Sequence, residues 1–184
     1  MRVLFIPGNG NSDINDNWIL WTKKEVEKLG IKAIAENMPD PDFAREKYWI
    51  PFIEKKLEND PDSILVGHSS GALAIQRYIE THKVLCAILV GTSHTDLNDE
   101  HERASGYFSR PWQWEKMREN AKWIALFAST DDPYIPISEA RFIHEKLQCE
   151  YHEFTDQGHM GSDIGKMEFP EIVEVIRRRG IRHK

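Results

Sequence analysis

Short apolar runs at residues 3–6, 31–35, 64–66, 87–90, 123–128 and 151–154 alternate with longer amphipathic stretches along the chain. Several runs lack polar alternation, as expected of strands covered by helices on both faces. Strand signals alternating with helical ones predict an α/β fold built on a twisted parallel sheet of about six strands. Between the runs, Trp18, Trp21, Val26 and Leu29 recur at helical spacing, with Lys23, Lys24 and Glu27 facing outward. Pro51 is placed to open a second helix carrying Ile53 and Leu57. Ala72, Ile75, Tyr78 and Ile79 mark a third. Pro170 opens a last helix with Ile172, Val173, Val175 and Ile176, and Gly180 is its stop.

Residues 95–120 break this rhythm. The segment is polar at first and then holds Tyr107, Phe108, Pro111, Trp112 and Trp114. It is too long for an ordinary connection and carries no strand signal, so it reads as a lid or an extra helical pair. Aromatics in a connection near the C-terminal edge of a sheet either pack the lid or line a pocket, and Tyr107, Phe108 and Trp112 are the candidates for a substrate pocket. Trp18, Trp21 and Trp49 read as core. The chain contains no internal repeat, low-complexity stretch or linker, so residues 1–184 read as a single domain with 95–120 as its lid segment.

Composition narrows the function more by exclusion than by indication. A length of 184 residues with 40% hydrophobic and 29% charged residues suits one globular domain with a sizeable core. A net charge of -6 argues against a nucleic-acid partner. The cysteines, Cys86 and Cys149, stand far apart and form no CxxC pattern, which favours a reducing, cytoplasmic setting. The apolar run at the N-terminus is too short for a signal peptide, and no stretch approaches the roughly 18 apolar residues of a membrane span. No membrane partner is expected.

The chemistry begins at Gly67-His68-Ser69-Ser70-Gly71, which fits the G-x-S-x-G elbow. A serine hydroxyl attacks poorly unless a base takes its proton and the chain presents it without crowding. As a bare pattern the motif arises by chance in about one chain of this length in twenty. Here Ile64-Leu65-Val66 precedes it and a helical pattern follows, which is the context the elbow requires. Ser69 is therefore the candidate nucleophile.

An orienting acid and a base should follow in that order. Asp131 and Asp132 compete for the first role in Ser129-Thr130-Asp131-Asp132-Pro133-Tyr134-Ile135-Pro136, at the end of a strand run. Asp132 is favoured because hydrolases commonly carry Ile or Val, then Pro, starting three residues after the acid; Asp131 is held in reserve. His159 follows Gly158 just after the last strand run, where a sharp exit can swing the imidazole over the nucleophile. Its side-chain type also suits proton transfer near neutrality. The tetrahedral oxyanion needs two donors: the backbone N–H of Ser70, and one from the glycine-rich Pro7-Gly8-Asn9-Gly10-Asn11 loop, where Asn9 is chosen. That loop lacks the Gly-Lys-Ser/Thr and the third glycine of nucleotide-binding loops. His68 sits inside the elbow and reads as a local hydrogen-bonding group. His82, His94, His101, His144, His152 and His183 follow no metal-ligand spacing, so neither a metal nor a cofactor is expected. The basic end, Arg177-Arg178-Arg179 and then Arg182-His183-Lys184, suits a helix C-terminus.

Taken together, Ile6-Pro7-Gly8-Asn9-Gly10, Asn37-Met38-Pro39-Asp40-Pro41, the elbow, Glu102-Arg103-Ala104-Ser105-Gly106-Tyr107-Phe108, Arg110-Pro111-Trp112-Gln113-Trp114 and Ser129-Thr130-Asp131-Asp132-Pro133 resemble the retinoblastoma-binding protein 9 family of small α/β-hydrolases, which includes bacterial YdeN-like proteins. The resemblance runs through most of the chain. It implies an α/β-hydrolase fold with a six-stranded parallel sheet, with Ser69, Asp132 and His159 at the family's triad positions. It also implies serine hydrolysis of a small-molecule ester or amide. The family's retinoblastoma-protein binding rests on a Leu-x-Cys-x-Glu motif, and the matching stretch here reads Leu57-Glu58-Asn59-Asp60-Pro61. Leu147-Gln148-Cys149-Glu150-Tyr151 comes near but ends in tyrosine, so that partner is not expected. A non-catalytic scaffold on the same fold is the alternative reading.

Overall fold

The structure is a computed structural model describing residues 1–180. Its strands are β1 (Arg2–Ile6), β2 (Lys32–Ala35), β3 (Ser63–His68), β4 (Val84–Val90), β5 (Ala121–Ser129) and β6 (Glu150–Phe154). They form one all-parallel sheet in the order β2-β1-β3-β4-β5-β6. The helices are α1 (Ile19–Lys28), α2 (Glu46–Leu57), α3 (Ser70–Ile79), α4 (Glu100–Ser105), α5 (Trp114–Asn120), α6 (Ile137–Leu147) and α7 (Pro170–Gly180). This is the α/β-hydrolase architecture. Among the described residues no helix is long and apolar enough to cross a membrane. Arg182, His183 and Lys184 of the basic end lie outside the described residues.

The period of two along each strand divides the apolar side chains between two cores. Val3 and Phe5 of β1, Ile64 and Val66 of β3 and Cys86, Ile88 and Val90 of β4 pack against α1 and α7 through Ile19, Val26, Ile172, Val175 and Ile176. Leu4, Ile6, Leu65, Ala87 and Leu89 face the other way, onto Trp49, Ile53, Ala72, Ile75, Tyr78, Ile143 and Leu147 of α2, α3 and α6. β3 and β4 are buried along their whole length, which explains why residues 64–66 and 84–90 are continuously apolar.

Two elements differ from the sequence-based expectation. α2 begins at Glu46, so Pro51 lies inside it and does not open it. Proline removes a helical hydrogen bond, but Pro51 is solvent-facing, while Trp49 two residues earlier is fully buried and its indole N–H donates to the Pro39 carbonyl at 2.6 Å. Burial of that tryptophan outweighs the local penalty. α6, whose buried Ala140, Ile143 and Leu147 have ordinary helical spacing, was absent from the expected helices. Residues 95–120 do contain a helical pair, α4 and α5.

β1 lies between β2 and β3, so successive connections leave it toward opposite sides of the sheet. Such a switch point opens a crevice beyond the strands' C-terminal ends. The Pro7–Asn11 loop and the residues after His68 border that crevice.

Candidate active site

Ser69 follows β3 directly and precedes the first residue of α3. Its backbone has φ 54° and ψ -119°, a conformation that L-residues rarely adopt and that turns the side chain out of the chain path. Its N–H donates to the Val90 carbonyl at 2.9 Å, extending the β3–β4 ladder into the turn. The two glycines of the motif are required by close approach. A Cβ on Gly67 would stand 2.5 Å from the Gly71 carbonyl group, and one on Gly71 would collide with the Ile6 and Pro7 carbonyls. The G-x-S-x-G spacing is thus the condition for packing α3 against β1 and β3 this tightly.

His159 sits in the loop after β6, with its Nδ1 2.7 Å from Asp132 Oδ2 in the loop after β5. A carboxylate can only accept, so Nδ1 carries the proton, and in the neutral imidazole the lone pair is then on Nε2. Among the described residues Nε2 has no hydrogen-bond partner, and His159 shares with Ser69 the walls of a cavity of about 530 Å³. Asp132 is itself held: its Oδ1 accepts the backbone N–H groups of Tyr134 at 2.8 Å and Ile135 at 3.0 Å. Asp131 points elsewhere. Its Oδ1 accepts the Ser129 hydroxyl at 2.5 Å and the Gly158 N–H at 3.0 Å, which ties the β5 loop to the β6 loop. The Ser129 hydrogen bond, followed by backbone donors, holds the Asp131 carboxyl below its ordinary range.

His68 does more than bond locally. Its Nε2 donates to the carbonyl of His159 at 2.8 Å, across 91 residues of sequence. Burial, and then the neighbouring His159, lower its pKa to about 4, so it is neutral at physiological pH and can serve as a fixed donor. Trp18 packs edge-on against His68 and gives its indole N–H to the Met160 carbonyl at 2.8 Å. The His159 N–H donates to Asp163 Oδ2 at 2.7 Å. Two side chains expected to be merely local or core therefore brace the histidine loop, and only tertiary contacts reveal it.

The cavity is lined by Asn9, Leu73, Thr92, Glu102, Tyr134 and Ile135 as well as Ser69 and His159. A smaller cavity of about 210 Å³ shares Ser69 and His159 with it and is lined further by Gly8, Ser12, Asn17, His68 and Asp163. Asn9 is beside the serine, and the Ser70 amide belongs to the first residue of α3, where helical N–H groups lack intrahelical partners.

Tyr107, Phe108 and Trp112 do not line either cavity. Tyr107 is fully buried in the core, and Phe108 and Trp112 pack against the same cluster. A buried guanidinium explains this placement. Arg77 of α3 donates to the carbonyls of Tyr107, of Arg110 at 2.6 Å and of Pro111 at 3.2 Å, and it lies 3.7 Å from the centre of the Trp112 ring. Glu80 balances its charge at 2.6 Å and also accepts the Gln113 N–H at 3.0 Å. The aromatic stretch is therefore drawn onto α3, and the residues of this segment that reach the cavity are Leu97, Asp99, His101 and Glu102. Among the described residues no group of three or more potential metal ligands comes together.

A family model described as serine hydrolase matches residues 3–178. Serine hydrolase RBBP9 of Rattus norvegicus is 46% identical over 178 residues, which is 96% of this chain and 94% of that protein. The crystal structure of the YdeN protein of Bacillus subtilis superposes with a TM-score of 0.88 at 24% identity, covering 97% of this chain and 98% of that one. A monoacylglycerol lipase from Paleococcus ferrophilus superposes with a TM-score of 0.68 at 15% identity, covering 96% of this chain and 94% of that one.

Proposed function

The chain belongs to the serine hydrolase family, and from that premise we propose that it cleaves small carboxylic esters or amides through an acyl-enzyme, with Ser69, His159 and Asp132 as its triad. The observation that carries this reading is the Asp132–His159 hydrogen bond of 2.7 Å, which leaves the basic imidazole nitrogen for the cavity shared with Ser69. In the first step the Ser69 hydroxyl attacks the substrate carbonyl while Nε2 of His159 takes its proton. Asp132 keeps the imidazole in the Nδ1–H tautomer and stabilises its charged form. The oxyanion is received by the backbone amides of Ser70 and Asn9. His159 returns the proton to the departing alcohol or amine. Water, activated by the same histidine, then attacks the acyl carbonyl and regenerates Ser69.

A cavity of about 530 Å³ with both apolar and polar walls, including Leu73, Ile135, Thr92 and Glu102, suits a small molecule carrying polar groups. We assign residues 1–184 to one domain. The free Cys86 and Cys149 fit a cytoplasmic setting. Nucleic acid is not proposed as a partner, given the net charge of -6. Nor is retinoblastoma-type binding, because Leu57 is buried at the end of α2 and the following residues supply neither cysteine nor the motif's glutamate.

The test is kcat/KM across p-nitrophenyl esters, thioesters and aminoacyl nitroanilides, with rapid quenching into denaturing mass spectrometry. The wild type should hydrolyse at least one class and show a transient acyl adduct, and Ser69→Ala and His159→Ala should each lose roughly 10³-fold or more in kcat. Undiminished turnover by Ser69→Ala would refute the reading.

A further inference from the structure

Resting on that reading, we propose that Glu102 is a positioning residue that holds the Asn9 backbone amide in place for the oxyanion, thereby making the 95–120 segment part of the catalytic assembly. The observation is a single long-range bond. Asn9 Nδ2 donates to Glu102 Oε1 at 2.8 Å, across 93 residues of sequence, at the wall of the cavity that holds Ser69. Glu102 is itself anchored. Its N–H donates to the Asp99 side chain at 3.0 Å, in the cap that starts α4, and its carbonyl accepts the Ser105 hydroxyl at 2.6 Å.

The loop that carries Asn9 needs such a tether. Beyond Asn9 the chain is held by Gly10 N–H to the Asp42 carbonyl at 3.0 Å and Asn11 N–H to the Pro41 carbonyl at 3.1 Å. Before it stands the end of β1. Between these anchors Asn9 is held by its carbonyl, which accepts the Ser12 N–H at 3.3 Å, and by its side chain, which Glu102 fixes. An oxyanion donor works only when its direction is set in advance, because the gain comes from avoiding reorganisation as charge develops. Among the described residues Glu102 hydrogen-bonds neither Ser69 nor His159, so its positioning effect travels through Asn9.

The carboxyl of Glu102 is pushed above its ordinary range, first by burial, with the Asn9 amide pulling the other way. Asp99, His101 and His159 also act on it. A neutral amide carbonyl can accept the same Asn9 hydrogen bond, which makes glutamine the informative replacement.

The experiment compares Glu102→Ala, Asn9→Ala, their double variant and Glu102→Gln. Rates are normalised to the fraction of molecules that a fluorophosphonate labels at Ser69, and folding is checked by thermal unfolding. Asn9→Ala keeps the backbone amide and removes only its tether. Each alanine variant should lose about tenfold in kcat with KM within about twofold, since a misdirected donor costs less than a deleted one. The double variant should be no worse than either single one. Glu102→Gln should recover most of the loss. A rise in KM at constant kcat, additive losses, a Glu102→Gln as poor as Glu102→Ala, or unchanged kcat in all of them would each overturn the proposal. Should Glu102→Ala unfold, the Asn9→Ala and Glu102→Gln pair decides by the same criteria. No labelling at Ser69 in the wild type would instead remove the reading on which the proposal rests.

Discussion

The elbow at residues 67–71 and the aromatic segment at 107–114 both flank α3, yet they are specified in opposite ways. The elbow is a backbone device: two missing side chains and one unusual φ bring α3 onto β1 and lift Ser69 to the sheet edge. The aromatic segment is a side-chain device, in which Arg77, fully buried at 0% side-chain exposure, gathers main-chain carbonyls from Tyr107 to Pro111 and stacks on Trp112. A backbone device is written in the residues that adopt it. A side-chain device is written at a distance, in an arginine on another element, and so its outcome is not readable from the segment itself.

The largest expected effect attacks that arginine. Arg77→Met removes a cation whose partner Glu80 is only 2% exposed, leaving that buried carboxylate with the Gln113 N–H and the more distant Arg110 at 3.6 Å, and several carbonyls without donors. Urea unfolding should show a loss of about 3–5 kcal/mol. A loss below about 1 kcal/mol would mean that the 107–114 segment is held by its aromatics alone, and the contrast with the elbow would collapse.

A smaller effect sharpens the same contrast. Trp112→Ala should lower stability by about 2 kcal/mol, less than a fully buried tryptophan would, because the ring is half-buried. Its ranking of acetyl against bulky acyl substrates should match that of the wild type, measured as kcat/KM ratios. A changed ranking would show that the aromatic segment reaches the substrate after all.

These two regions also mark how far sequence reasoning reaches. The parallel sheet was legible because β3 and β4 are buried on both faces, which makes residues 64–66 and 84–90 apolar without interruption. The elbow was legible because steric exclusion leaves glycine as the residue that fits at 67 and 71. Less was legible where burial overrides propensity, as at Pro51, where Trp49 draws the helix across a proline. Nor could neighbouring acids be told apart by pattern with much force: Asp131 and Asp132 differ in what they touch, the first bracing Ser129 and Gly158, the second facing His159. The support of His159 by His68 and Trp18, and the bond from Asn9 to Glu102, join residues too distant in sequence to leave a local signal.

That division of labour between the two acids leads to the most direct test of the proposed chemistry. A fluorophosphonate reacts with a serine only when a base activates it, so its rate of covalent labelling, with the modified peptide identified by mass spectrometry, reads the triad without any choice of substrate. Wild type and Asp131→Asn should label on the peptide containing Ser69 at similar rates, Asp132→Asn should label at least about 100-fold more slowly, and Ser69→Ala should not label. Labelling at another serine, or an Asp131→Asn variant slower than Asp132→Asn, would contradict the account.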